Sequence, residues 1–256
     1  MPVAVEPNNL SKSAMALYAG FAPPQLRRWN QINRRVFQVL LIAPLLIVWL
    51  SAYTNIDLIL ADAVFDRAHG NFPWRHVWLA EVFSHVLLKR MLGGLAVAVI
   101  SVTAWDLVFP GRWSWLQRFQ MRVVALSAII VPAIIAILKQ ASSSHCPWDL
   151  ARYGGTEPYI RLLEAIPAGI APGHCMPAGH VSSALWLISL TVFLLPKRPR
   201  AAVLALSLLL GFSFAVGWLQ QLRGAHFLTH TLWSMWISSV IVFALFKLLD
   251  RRSYSR

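Results

Sequence analysis

Acidic residues are scarce in this chain, with 10 Asp and Glu against 23 Lys and Arg, and only 13% of its 256 residues are charged. Two cysteines exclude a miniprotein built on disulfides, and 13 glycines exclude a collagen-like repeat. The low charge and a mean hydropathy of +0.58 also exclude a disordered chain and an ordinary soluble domain. No internal repeat or low-complexity segment is evident, and no stretch leaves room for a second soluble domain. What the chain has is long apolar runs, with 57% of its residues hydrophobic. The expected class is all-α, a polytopic membrane protein.

Six runs, 36–53, 91–109, 123–138, 181–196, 201–219 and 231–246, are each long enough to cross a bilayer as a helix. The first starts too far into the chain, and is too long, for a cleaved signal peptide. The segments up to 35, 110–122, 197–200 and from 247 onward carry 15 of the 23 Lys and Arg, against two acids, Glu6 and Asp250. That bias puts both termini in the cytoplasm. The net charge of +13 is then a topology signal, and nucleic acid is not needed to explain it. The expected layout is a cytoplasmic arm (1–35), a six-span membrane domain (36–250) and a cytoplasmic tail (251–256). Outer loops fall at 55–90, 139–180 and 219–230, the first with one or two helices lying on the surface. Trp49, Trp105, Trp113, Trp115, Trp218 and Trp236 suit the membrane interface. The compact frame suggests a bacterial inner membrane.

All eight histidines fall outside the basic segments. His69, His76 and His85 have no local catalytic partners and read as interfacial residues. The other five cluster at three places, all expected at the outer face. Lys139 ends the third run and is followed by Gln140 through His145, Cys146, Pro147, Trp148 and Asp149. Gly173-His174-Cys175-Met176-Pro177-Ala178-Gly179-His180 opens the fourth. Before the sixth stand Arg223-Gly224-Ala225-His226, with His230 after them. If that segment is helical, Arg223, His226 and His230 share one face. Pro and Gly ahead of an apolar run mark a helix start, whose free N–H groups suit an anion. Fixed cations, such a terminus and two histidines are what phosphoryl transfer requires.

At these residues the chain resembles the type 2 phosphatidic acid phosphatase superfamily, whose signature is K-x6-R-P, then P-S-G-H, then S-R-x5-H-x3-D. Lys139 and Pro147 match the first part, with Cys146 in place of Arg. Pro177-Ala178-Gly179-His180 matches the second with Ala for Ser, and Gly224-Ala225-His226 resembles the Gly-x-His of the third. Aligning His226 with the family nucleophile puts Gln220 at the Arg position and His230 at the Asp position. A rival register makes His230 the nucleophile and Ser234 the Asp equivalent, but loses the Gly-x-His context.

The resemblance implies hydrolysis of a phosphomonoester or diphosphate on a membrane lipid at the outer leaflet. His226 would attack phosphorus to form a phosphohistidine, and His180 would protonate the leaving oxygen. Lys139, Arg223 and the Gly179 backbone would hold the phosphoryl oxygens. His230 or Asp149 would orient His226, and His145 or Arg152 would replace the missing Arg. No cofactor or metal is implied. The same chemistry also serves a lipid phosphotransferase. A zinc hydrolase using His226, His230, His174, His180 and Cys175 is the rival class, opposed by the lack of H-E-x-x-H and by the nearby Lys139 and Arg223. A lipid transporter without chemistry explains the apolar body but not the converging cations. A disulfide between Cys146 and Cys175 is expected, because both lie in one outer loop and are tied to motifs that must converge.

Overall fold

The computed structural model describes residues 23–111 and 113–252, and among them the chain is helical and carries no strand. Most of the expected arm (1–22) and of the tail (253–256) lies outside the described residues. The long helices are α1 (Pro23–Tyr53), α3 (Leu79–Val108), α4 (Trp115–Gln140), α6 (Pro199–Leu222) and α7 (Leu228–Arg252). Between them lie a short α2 (Ile56–Val64) and α5 (Gly179–Leu194), which is α-helical to Leu185 and 3-10 beyond it.

Five of these helices are long and apolar enough to cross a membrane, where six were expected. The fourth expected run is α5, which Pro177 and Pro196 confine to a shorter apolar helix. The second crossing also starts earlier than its hydropathy suggests, at Leu79 in place of residue 91. Its first turns carry Glu81 and Lys89, and Glu81 finds partners in His76 and Arg223, so charge there does not end the helix.

Local chemistry sets the helix ends. Ser114 Oγ accepts from Gln117 N–H, and Gln117 Oε1 accepts from Ser114 N–H, a reciprocal cap that starts α4. Pro199 stands in the first turn of α6, where its missing N–H costs nothing. The inner face of α4 (Val123, Val124, Ala128, Val131 and Ile135) is buried against α3, α5 and α7. Gln120 Nε2 donates to the Val192 and Leu195 carbonyls at 3.1 and 3.2 Å, satisfying acceptors that the 3-10 end of α5 leaves open.

The outward faces are apolar as well. Leu41, Ile42 and Leu45 on α1, Val97 and Val102 on α3, and Leu204 and Leu208 on α6 are all exposed. In water such continuous patches cost about 25 cal/mol per Å², and lipid removes that cost. With the length of the helices, this makes the chain a membrane protein. Trp236, one of the expected interfacial residues, donates from Nε1 to the Leu40 carbonyl at 2.8 Å and so ties α7 to α1.

A second, smaller core caps one end of the bundle. Ala61, Phe72, Leu150, Tyr153 and Phe227 form it, with Phe65, Phe72 and Tyr153 in mutual ring contact at 5.1 to 5.3 Å. This cap touches the turn that carries His226.

Candidate active site

Four chain segments meet beneath the cap: the end of α4, the start of α5, the end of α6 and the start of α7. Lys139 stands in the last turn of α4, where a cation complements the helix dipole. It leans over Gly179, and a Cβ there would lie 3.6 Å from Lys139 Cδ and 3.9 Å from Nζ. Lys89 lies within electrostatic reach of Lys139, which adds a cation the sequence reading did not use.

The start of α5 is fastened to α7. Ala178 N–H donates to the His230 carbonyl at 3.1 Å, and Ser234 Oγ donates to the Ala178 carbonyl at 3.1 Å. Ala178, where the family signature has Ser, is fully buried. Ser234, the Asp equivalent of the rival register, is spent on this backbone joint.

Gly224 shapes the turn before α7. Its φ of +73° favours glycine, and a Cβ there would meet the Phe72 ring at 2.4 Å. Its carbonyl accepts from Trp148 N–H at 3.0 Å, so the loop after Cys146 holds the turn from above. His226 is thereby fully buried, with its ring centroid 5.8 Å from that of His180 and 5.9 Å from that of His230. Burial pushes the His226 imidazole well below the usual histidine range, helped by the positive charge that His230, His180 and Lys139 would bring. The ring is therefore neutral at physiological pH.

The expected disulfide joins Cys146 to Cys175, with Cα atoms 5.3 Å apart. Backbone bonds flank it: Gly173, His174 and Cys175 N–H groups donate to Ser143, Ser142 and Ser144 carbonyls. Cys175 Sγ also lies 3.4 Å from His226 Nδ1. These two sulfurs and His226 bring three potential ligand atoms within 4.8 Å of one another. Joined to each other, the sulfurs offer no thiolate to a metal.

Other expected roles are distributed differently. Asp149 Oδ2 accepts from Cys146 N–H at 3.3 Å, within its own 3-10 turn. Arg152 is held by Asp62 and belongs to the cap. His145 is buried, with Nε2 3.9 Å from Glu157 Oε2, and shares a cleft wall with His230. His174 is exposed. His69 and His76 bond to Asp66 and Glu81 as local pairs, while the His85 side chain lies outside the described residues.

Arg223 is nearly buried. Nη1 donates to Gln220 Oε1 at 3.0 Å, Nε donates to the Arg75 carbonyl at 3.1 Å, and Nη2 lies 3.8 Å from Glu81. Gln220, at the family's Arg position, is fully buried and donates to Ser84 Oγ and the Ala80 carbonyl. That residue ties α6 to α3.

Asp57 has a role the sequence reading missed. From α2 it reaches the first turn of α7, accepting from Thr229 N–H at 3.0 Å and Thr229 Oγ1 at 2.5 Å. A carboxylate there suits the helix dipole. Burial nevertheless raises its carboxyl from 3.8 to about 6, outweighing the Thr229 bonds. The folded protein thus holds this proton more tightly than the unfolded chain. Its stabilising contribution is fully present below the unfolded value and is lost as pH rises through 6. The loss is on the order of 3 kcal/mol. The melting temperature of the wild-type protein should therefore fall relative to that of Asp57→Asn as pH rises from 4 to 7 in detergent. Equal slopes in both proteins would show that Asp57 ionises as it does in water.

A family model described as the PAP2 superfamily matches residues 120–254, more than half of the chain, and spans α4 to α7. No curated protein and no solved structure matches the chain. Superfamily members are phosphatases of phosphate esters, commonly of lipids. The chain with this paired-histidine site belongs to the PAP2 superfamily.

Proposed function

We propose that this protein hydrolyses a phosphomonoester or diphosphate on a membrane lipid through a phosphohistidine on His226, without a metal. The observation that carries this reading is the approach of His180 and His226, from the starts of two different helices, to 5.8 Å beside Lys139 and Gly179. The site has one neutral imidazole and cations around it, as phosphoryl transfer to nitrogen requires.

His226 Nε2, the nitrogen turned from Cys175, attacks phosphorus as the bond to the lipid oxygen breaks. His180 gives its proton to that oxygen. Water then attacks phosphorus while His180 takes its proton, and the phosphorus–nitrogen bond breaks with its electron pair returning to His226 Nε2, releasing inorganic phosphate. Lys139 neutralises the phosphoryl oxygens, with the N–H groups that open α5. Arg223 supplies the second cation, since its contact with Glu81 is a loose 3.8 Å and yields to a phosphate.

Orientation follows from charge. The site end of the bundle is opposite the segments rich in Lys and Arg, so it faces the outer leaflet, with both termini cytoplasmic. For this α5 must act as the sixth crossing. Its 3-10 half rises about 2.0 Å per residue against 1.5 Å in an α-helix, which brings its length to about 28 Å. The hydrocarbon core is about 30 Å thick. An inner bacterial membrane is the setting that fits this layout.

The test is phosphate release from a lipid phosphate in detergent with EDTA present. The expected result is undiminished turnover. Loss of activity that zinc restores would replace this mechanism with a metal hydrolase.

A further inference from the structure

The bonded sulfur beside the nucleophile has a chemical consequence. A nucleophilic imidazole needs its lone pair on the attacking nitrogen and its proton on the other, so the group facing that other nitrogen decides whether the ring is competent. The family signature gives this task to an Asp after the nucleophile, but here that position is His230. The His226 and His230 ring centroids are 5.9 Å apart, and no hydrogen bond joins the two rings among the described contacts. Asp149 is engaged at Cys146 N–H. The atom that lies against His226 Nδ1 is Cys175 Sγ, at 3.4 Å, and the Cys175 main chain supplies a second acceptor to the same ring.

The sulfur is half of a disulfide and carries no hydrogen, so toward Nδ1 it can only accept. Its contact with the Ala225 carbonyl, at 3.3 Å, is for the same reason a contact and not a donated bond. Reduced to a thiol, the same sulfur becomes a donor. It can then point its hydrogen at Nδ1, which moves the ring proton to Nε2 and blocks the attacking lone pair.

We infer that the bridged Cys175 is the positioning residue of His226, its sulfur holding the ring proton on Nδ1 together with its main chain as long as the sulfur carries no hydrogen, so that turnover requires the closed bridge. This rests on the assignment of His226 as nucleophile in the preceding subsection. The bridge has a second effect, since it joins the loop that follows Lys139 to the loop that leads into His180. A tether alone would tolerate any sulfur chemistry that kept the loops together. A positioning sulfur does not.

Opening the bridge takes two electrons and two protons from a dithiol. A thiolate of dithiothreitol attacks Cys146, the half-exposed partner, and the sulfur–sulfur bond breaks with its electron pair on Cys175, which is then protonated. The second thiol of the reductant displaces Cys146 and leaves as a cyclic disulfide.

Three measurements test the inference on the full chain in detergent. In ¹⁵N spectra of the oxidised protein, the His226 ring is expected to be neutral with its proton on Nδ1. A proton on Nε2 overturns the inference whatever the activity. Reduction, verified by thiol labelling of both cysteines, is expected to lower kcat by up to about 10⁴-fold with KM little changed, the scale of a wrong histidine tautomer. Unchanged kcat with both thiols labelled overturns it.

The variants separate positioning from tethering. Cys146→Ala leaves a thiol at 175, whereas Cys146→Ala with Cys175→Ala removes both the tether and the donor. The single variant is expected to have the lower kcat, and equal losses overturn the inference in favour of a plain tether. If the oxidised wild-type protein releases no phosphate from any lipid phosphate, the proposed function fails. The ring spectrum still decides the position of the proton.

Discussion

His226→Ala is expected to abolish phosphate release, lowering turnover by several orders of magnitude while the protein stays folded. Loss of a nucleophile leaves only electrostatic binding to accelerate the reaction. The side chain is fully buried, so truncation also removes packing, and the melting temperature should be followed beside activity. The neighbouring His230→Ala separates the two registers. His230 sits within α7, its carbonyl holding Ala178 and its ring edge-on to Phe227 at 5.3 Å. The carbonyl contact survives the substitution, so a smaller loss is expected. Near-wild-type turnover in His226→Ala with a dead His230→Ala would make His230 the nucleophile. Trapping the phosphoenzyme adds a direct check, because the label should be absent from His226→Ala.

The acid side of the pH profile carries further information. Burial holds His226 below the usual histidine range, so the free base persists as pH falls through 6.5. An acid limb near 6.5 would therefore belong to another group.

Much of this candidate site was legible because the phosphate chemistry that the family resemblance implies demands few residue types in a set order. Lys139, His180 and His226 could be found from three short motifs at the mouths of apolar runs, although each motif carries a substitution. The Cys146–Cys175 bridge could be anticipated because both cysteines lie beside motifs that must meet. What the sequence concealed was which group faces which. Arg223 reads as a phosphate clamp, and the sequence does not show that its guanidinium also meets the Arg75 carbonyl and Glu81, far away in the chain, beside its neighbour Gln220. Asp57 looked like one of several acids in a mixed segment. Its bonds to Thr229 span 172 positions, and no periodicity encodes such a distance. The early start of α3 was hidden for a related reason. Hydropathy charges Glu81 its full cost, whereas the folded chain gives it His76 and Arg223 as partners.

His180→Ala should produce a loss that depends on the substrate, and this dependence distinguishes a proton donor from a phosphate ligand. In the proposed mechanism an alkoxide leaves a lipid phosphate in the first step, and protonation by His180 would make that departure possible. General acids of this kind contribute about 10²- to 10⁴-fold. An activated aryl phosphate leaves as a stable phenolate and needs no such help. His180→Ala is therefore expected to lose several orders of magnitude on a lipid phosphate but much less on the aryl ester, with accumulated phosphoenzyme in the second case. Accumulation follows because the same imidazole must later take the proton from water. Lys139→Ala makes the contrast. In the proposed role Lys139 would hold charge on the phosphoryl oxygens whichever group leaves, so its loss should slow both substrates alike. If His180→Ala also slowed both substrates equally, His180 would be a phosphate-binding residue, and the proton for the leaving oxygen would have to come from elsewhere.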